Sequence, residues 1–202
     1  MSARNLVDEL AFAGVGSDVW IWPRAHIVNP ETITLGDSVI IDDFAFVMGG
    51  QRTVIGSFVH IAAFTLVVGG GELHVADFAG ISGGVQIYTG NDDYLGGCLT
   101  GPTVPFPYRK PTRSFVRLEK HVVIGAKSVI LPGVVIGEGS VIGANSTVTR
   151  SCEPWGVYAG SPVRRIKERP SETILELEAQ LRRELYDSKG LYIPKAARTV
   201  EC

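Results

Sequence analysis

Val, Ile or Leu recurs every six residues along most of this 202-residue chain. These residues stand at 15, 21 and 27, at 35, 41 and 47, at 55, 61 and 67, and at 75, 81 and 87. After a gap the register resumes at 118, 124, 130, 136, 142 and 148. The three residue types make up about a quarter of the chain, so chance would fill about five of these eighteen anchors. Four residues after an anchor the chain usually places something small or β-branched, as at Val39, Ala45, Thr65, Ala79, Ser128 and Ser146.

A period of six is neither the 3.6 period of a helix nor the plain alternation of a half-exposed strand. It predicts very short strands joined by tight turns, each anchor pointing into a core so narrow that only a small residue fits beside it. Three hexads close one three-sided coil, and stacked coils pair their strands in parallel. The first four coils recur every 20 residues, with the two surplus residues always in the third hexad, at 27–34, 47–54 and 67–74. The surplus therefore stacks on one edge. The same edge emits the long insertion 88–117, and from 118 onward the coils are 18 residues each.

Composition narrows the function classes. Nineteen Lys and Arg against 21 Asp and Glu leave a charge of -2, which gives no electrostatic reason to expect a nucleic acid or an anionic membrane as partner. The first residues carry Asp8 and Glu9 instead of an apolar run, so neither a secretory signal nor a membrane span is expected. Cys98, Cys152 and Cys202 are odd in number and lack CxxC spacing, which suits a reducing, cytoplasmic compartment without a disulfide or zinc site.

Ile124-Gly125-Ala126, Ile142-Gly143-Ala144-Asn145-Ser146-Thr147-Val148-Thr149-Arg150 and Gly156-Val157-Tyr158-Ala159-Gly160-Ser161-Pro162-Val163-Arg164-Arg165-Ile166-Lys167 carry a resemblance. They resemble the hexapeptide-repeat acyltransferases, and within them the acetyl-CoA-binding part of the galactoside and maltose O-acetyltransferases. The resemblance spans roughly 15–167. It implies an all-β solenoid, a left-handed parallel β-helix, usually trimeric. The expected layout is a β-helix domain over 1–170 with the 88–117 insertion, then a helix and tail over 171–202. Ile174, Leu177, Leu181 and Leu185 predict an amphipathic helix opening on Ser171 and ending at Gly190, packed on the open end of the solenoid or on a neighbouring subunit.

By the resemblance, Ala126 and Ala144 lie against the pantetheine arm of acetyl-CoA. A residue without bulk lets the pantetheine amides reach the main chain. Thr149, Arg150, Arg164 and Lys167 fall where the group contacts the nucleotide end, and cationic side chains suit its phosphates. The backbone N–H of Ala126 is implied as the oxyanion donor. A solvated basic rim is the plainer alternative for the arginines.

Acyl transfer to a hydroxyl or amine needs a proton acceptor. In the galactoside and maltose group a histidine serves, a few residues beyond a strand resembling Val85-Gln86-Ile87-Tyr88-Thr89. Here Asp92 holds that position. Three answers stand open. His60 or His74, each just before an anchor with an outward side chain, takes over. Asp92 or Asp93 acts, its pKa raised by burial and by the neighbouring carboxylate, unless Asn91-Asp92-Asp93 is only a turn. The third is an amine acceptor that needs no protein base. His26 is too far along the axis, and His121 is expected among exposed charges. The insertion, with four prolines and Arg109, Lys110, Arg113 and Arg117, is of a length that is usually functional, with Phe106 and Tyr108 available to stack on a sugar.

The resulting expectation is an acetyl-CoA-dependent O- or N-acetyltransferase acting on a sugar or nucleotide-sugar, in surface polysaccharide biosynthesis, as a homotrimer and without a metal. The competing expectation is a non-catalytic scaffold of the same fold.

Overall fold

Narrow cores dictate where each side chain goes. Sixteen of the eighteen anchors are buried; only Val15 and Ile27, in the first coil, are partly open. The small or β-branched residues four beyond the anchors are buried as well, from Val19 to Ser146. Where such a residue is serine, its hydroxyl is absorbed: Ser128 Oγ donates to Gly143 O and Ser140 Oγ to Glu153 O. The structure, a computed structural model, describes residues 4–198.

Strands of two to five residues form three sheets of six, eight and six strands. The first sheet begins at Gly14–Val15 and ends at Val134–Ile136. The second runs from Trp20–Ile21 to Gly156–Ala159 and adds one antiparallel strand, Arg164–Glu168. The third runs from His26–Val28 to Thr147–Val148. All other pairings in these sheets are parallel, and the chain winds as a left-handed β-helix. The register shows the coil lengths directly: Arg52 pairs Glu72, Glu72 pairs Phe115 across the insertion, and Val116 pairs Val134.

The tight corners share one device. The third residue after an anchor takes a positive φ at Asp18, Ser38, Phe44, Phe58, Phe64, Phe78, His121, Lys127 and Asn145. A side chain in that conformation costs about 1 kcal/mol. Stacking offsets the cost: Phe58 lies over Phe78 at 4.9 Å, and Phe78 over His121 at 5.1 Å.

His121 therefore departs from expectation. It is 6% exposed, inside an aromatic column at the corner between the first and second sheets, with Nε2 donating to Glu178 Oε2 at 2.6 Å. Helix α1 (Glu172–Leu185) lies along this corner of its own solenoid, and not on the open end. Its inward contacts are polar: Glu178 meets Lys120 and His121, and Arg182 reaches Asp77. The helix also stops at Leu185; Gly190 sits in a later turn. Downstream, Tyr192 packs edge-on against Phe58 and its hydroxyl donates to Asp18. Cys98 and Cys152 are free thiols, and Cys202 lies outside the described residues.

Candidate functional site

The insertion leaves the third sheet after Tyr88 and re-enters the first at Phe115, so its root is the corner between those sheets. Gly90–Asn91 pairs antiparallel with Thr112–Arg113 and clasps the root. Thr89 is buried below it, its Oγ1 accepting from Gly71 N and donating to Val68 O. The run Gly69-Gly70-Gly71 is what lets the loop cross: a Cβ on Gly71 would stand 2.0 Å from Ser114 O, and one on Gly69 2.4 Å from Gly90 N.

Directly after this clasp stands Asp92. Its Oδ2 accepts from the backbone N–H of Gly101 at 2.9 Å, while its Oδ1 is buried without a hydrogen-bond partner among the described residues. A buried carboxylate oxygen with no donor is costly, and such groups mark functional sites. Asp93 behaves differently from the expectation of a raised pKa. The backbone N–H of Leu95 donates to it at 2.8 Å, and with further donors at Cys98 and Gly97 this holds its carboxyl below the ordinary value. Asp93 is a turn-former, fixed as a carboxylate by the local backbone.

The two candidate histidines occupy other sides of the prism. His60, on the second sheet, has Nε2 3.0 Å from Asp42 Oδ2. His74, on the first sheet, stands in register between Val54 and Arg117 and lines a groove of about 330 Å³ with Arg52, Glu72 and Glu119. The structure thus separates the three candidate proton acceptors instead of gathering them: Asp92 at a corner, and the histidines on two faces. Asp42 is a partner that the sequence reading missed; the coil register, which sets Ile40 beside His60, was the available signal.

Ala126 and Ala144 lie one above the other at the corner between the second and third sheets, with Asn145 N donating to Ala126 O at 2.8 Å. The N–H of Ala126 has no hydrogen-bond partner among the described residues. At the last coil, Thr149, Arg150, Pro162 and Arg164 line a groove of about 320 Å³. Lys167 stands apart from it, on the antiparallel outer strand opposite Val157. Among the described residues no group of three or more His, Cys, Asp and Glu is placed to hold a metal ion.

The chain is thus a three-sided solenoid with an unpartnered small-residue backbone at one corner and an arginine-lined groove at its end. Residues 115–150 match the bacterial transferase hexapeptide (six repeats) family. The chain is 38% identical over 172 residues, 85% of its length and 89% of the relative's, to a dTDP-4-amino-4,6-dideoxy-D-glucose acyltransferase of Escherichia coli. AntD, an N-acyltransferase from Bacillus cereus solved with dTDP and 3-hydroxybutyryl-CoA, matches with a TM-score of 0.83 and 42% identity, over 89% of this chain and 96% of that one. A hexapeptide-repeat acetyltransferase from Vibrio cholerae matches at a TM-score of 0.54 and 23% identity, over 79% and 75% of the two chains, and shows the shared fold alone. The protein belongs to the hexapeptide-repeat acyltransferases, and it is an enzyme of acyl transfer to a sugar.

Proposed function

We propose that the protein transfers an acyl group from acyl-CoA to the amine of a dTDP-linked amino-dideoxy sugar, with Asp92 as proton acceptor. The observation that carries this is the partnerless buried Oδ1 of Asp92 in a chain so similar to enzymes named for that acceptor and solved with CoA and dTDP. The attacking amine passes a proton to Asp92 as its lone pair reaches the thioester carbonyl. The free N–H of Ala126 stabilises the oxyanion, and collapse of the tetrahedral intermediate expels the CoA thiolate. An amine is a better nucleophile than a hydroxyl at neutral pH, which suits a carboxylate in the place of the family's histidine.

Ala126 and Ala144 hold the pantetheine, and Thr149, Arg150 and Arg164 the nucleotide end of CoA; Lys167 reaches it only at the rim. The product feeds a surface glycan, the compartment is the cytoplasm, where acyl-CoA and nucleotide sugars are available, and the working form is a homotrimer.

Thiol release from acetyl-CoA and 3-hydroxybutyryl-CoA, measured with dTDP-4-amino-4,6-dideoxyglucose and with plain glycosides, tests the reading. Turnover with the amino sugar and either donor is expected. CoA binding without any amine-dependent turnover would redirect the acceptor, and no CoA binding at all would favour the scaffold.

A further inference from the structure

Along the outward row of the second sheet, Ile40, His60, Gly80 and Val123 follow one another in register. Of these only His60 ionises, and only Gly80 lacks a side chain. A Cβ built on Gly80 meets nothing within 4 Å, so the backbone is bare directly beside the imidazole. The His60 side chain is 53% exposed, and its Nε2 lies 3.0 Å from Asp42 Oδ2. An ionised carboxylate only accepts, so Nε2 carries the proton. Nδ1, on the far side of the ring, has no partner among the described residues.

We propose that Asp42, His60 and Gly80 form the subsite for the acceptor's sugar ring: the ring lies on the bare backbone at Gly80, and His60 Nδ1 accepts a hydrogen bond from a ring hydroxyl. Asp42 is the positioning residue that fixes the accepting tautomer. The subsite rests on the reading of acyl transfer to a sugar. Its place along the axis fits that reading. Coils stack about 4.8 Å apart, so His60 lies about 10 Å, two rungs, below the coil that carries Ala126. A pyranose on Gly80 would direct its amine up toward the thioester and a hydroxyl down toward His60.

The subsite also requires a second copy of the chain. Asp92 directly follows the clasp at the corner opposite the second sheet, so in the trimeric working form proposed above the carboxylate that meets this sugar is a neighbouring molecule's.

Steady-state kinetics with dTDP-4-amino-4,6-dideoxyglucose and its 2-deoxy and 3-deoxy analogues test this in the wild type, His60→Ala, Asp42→Asn and Gly80→Val. Gly80 has an ordinary φ and open space, so valine fills the subsite without disturbing the coil. The expected result is an acceptor KM raised at least about 10-fold in His60→Ala and Gly80→Val, with the acyl-CoA KM within about twofold. One deoxy analogue should bind wild type and His60→Ala alike, a coincidence that a merely structural role would not produce. With the acceptor held below the wild-type KM, co-expressed Asp92→Asn and His60→Ala chains should turn over more sugar than the two variants assayed apart. An active wild type whose variants share its acceptor KM overturns the subsite. No regain in mixed oligomers overturns the shared arrangement. A wild type that turns over no amino sugar overturns the acyl-transfer reading itself, and the subsite with it.

Discussion

His121 Nε2 donates to Glu178 Oε2 across 2.6 Å, joining a solenoid corner to helix α1 more than fifty residues later. Both side chains are nearly closed to solvent, 7% and 10% exposed. The same carboxylate receives Lys120 Nζ at 3.0 Å and Arg182 Nε at 2.7 Å. Burial alone pushes the Glu178 carboxyl up, but the donors Arg182, His121 and Lys120 outweigh it and hold the pKa at about 2.

Acid should therefore release the helix. A carboxylate whose folded pKa is depressed contributes fully above its unfolded value, near 4.5, and the contribution disappears as pH falls toward about 2. Melting curves of wild type and Glu178→Gln should differ by about 2 kcal/mol near neutrality and converge at the acid end of that range.

Asp92→Asn keeps the size of the side chain and its contact with Gly101 while removing the proton acceptor. We expect kcat to fall by about 10²- to 10⁴-fold, with acyl-CoA binding by calorimetry unchanged. Asp93→Asn, at a turn carboxylate already satisfied by the Leu95 backbone, should retain most activity.

Arg150→Ala and Arg164→Ala remove cations from the groove at the last coil. Each should raise the acyl-CoA KM by about 10-fold or more, the worth of one charge-assisted hydrogen bond, without altering the amino-sugar KM. Lys167→Ala should have a smaller effect. Equal losses on both substrates would point instead to a damaged fold.

The loop root is set by backbone approach. Because a Cβ on Gly71 would sit 2.0 Å from Ser114 O and 2.2 Å from Thr89 O, Gly71→Ala must displace main chain. A loss of at least about 2 kcal/mol is expected, read as a lower melting temperature together with faster proteolysis inside 88–117.

The anchors carry the core. Ile81, 1% exposed, should lose about 2–5 kcal/mol on change to Ala, since the coil has no spare side chain to fill the gap.

Legibility divides along a physical line. The period of six, the small residue four positions on, and the two-residue surplus all report the cross-section of a narrow prism, and each coil repeats the report. Misreading one coil would not have changed the solenoid. The site carries no such repetition. Asp92 was legible by its place after Val85-Gln86-Ile87-Tyr88-Thr89, but its freedom from partners depends on how one loop closes on Gly101. His121 was misplaced because Lys120 beside it suggested a surface, whereas the corner conformation turns its ring into the stack on Phe78. The tail was assigned by its leucines, although the groups that dock it are Glu178 and Arg182.

The sequence by itself determined the solenoid, its coil lengths and the corner that bears the insertion, because these depend on spacing along the chain. Only the tertiary structure decided which side of the prism each candidate faces, that His60 is held by Asp42 beside bare backbone, and that Asp92 keeps an unclaimed oxygen. Those facts depend on contacts between coils about twenty residues apart and on loop closure, where the energy of a single hydrogen bond decides the outcome and no periodic pattern records it.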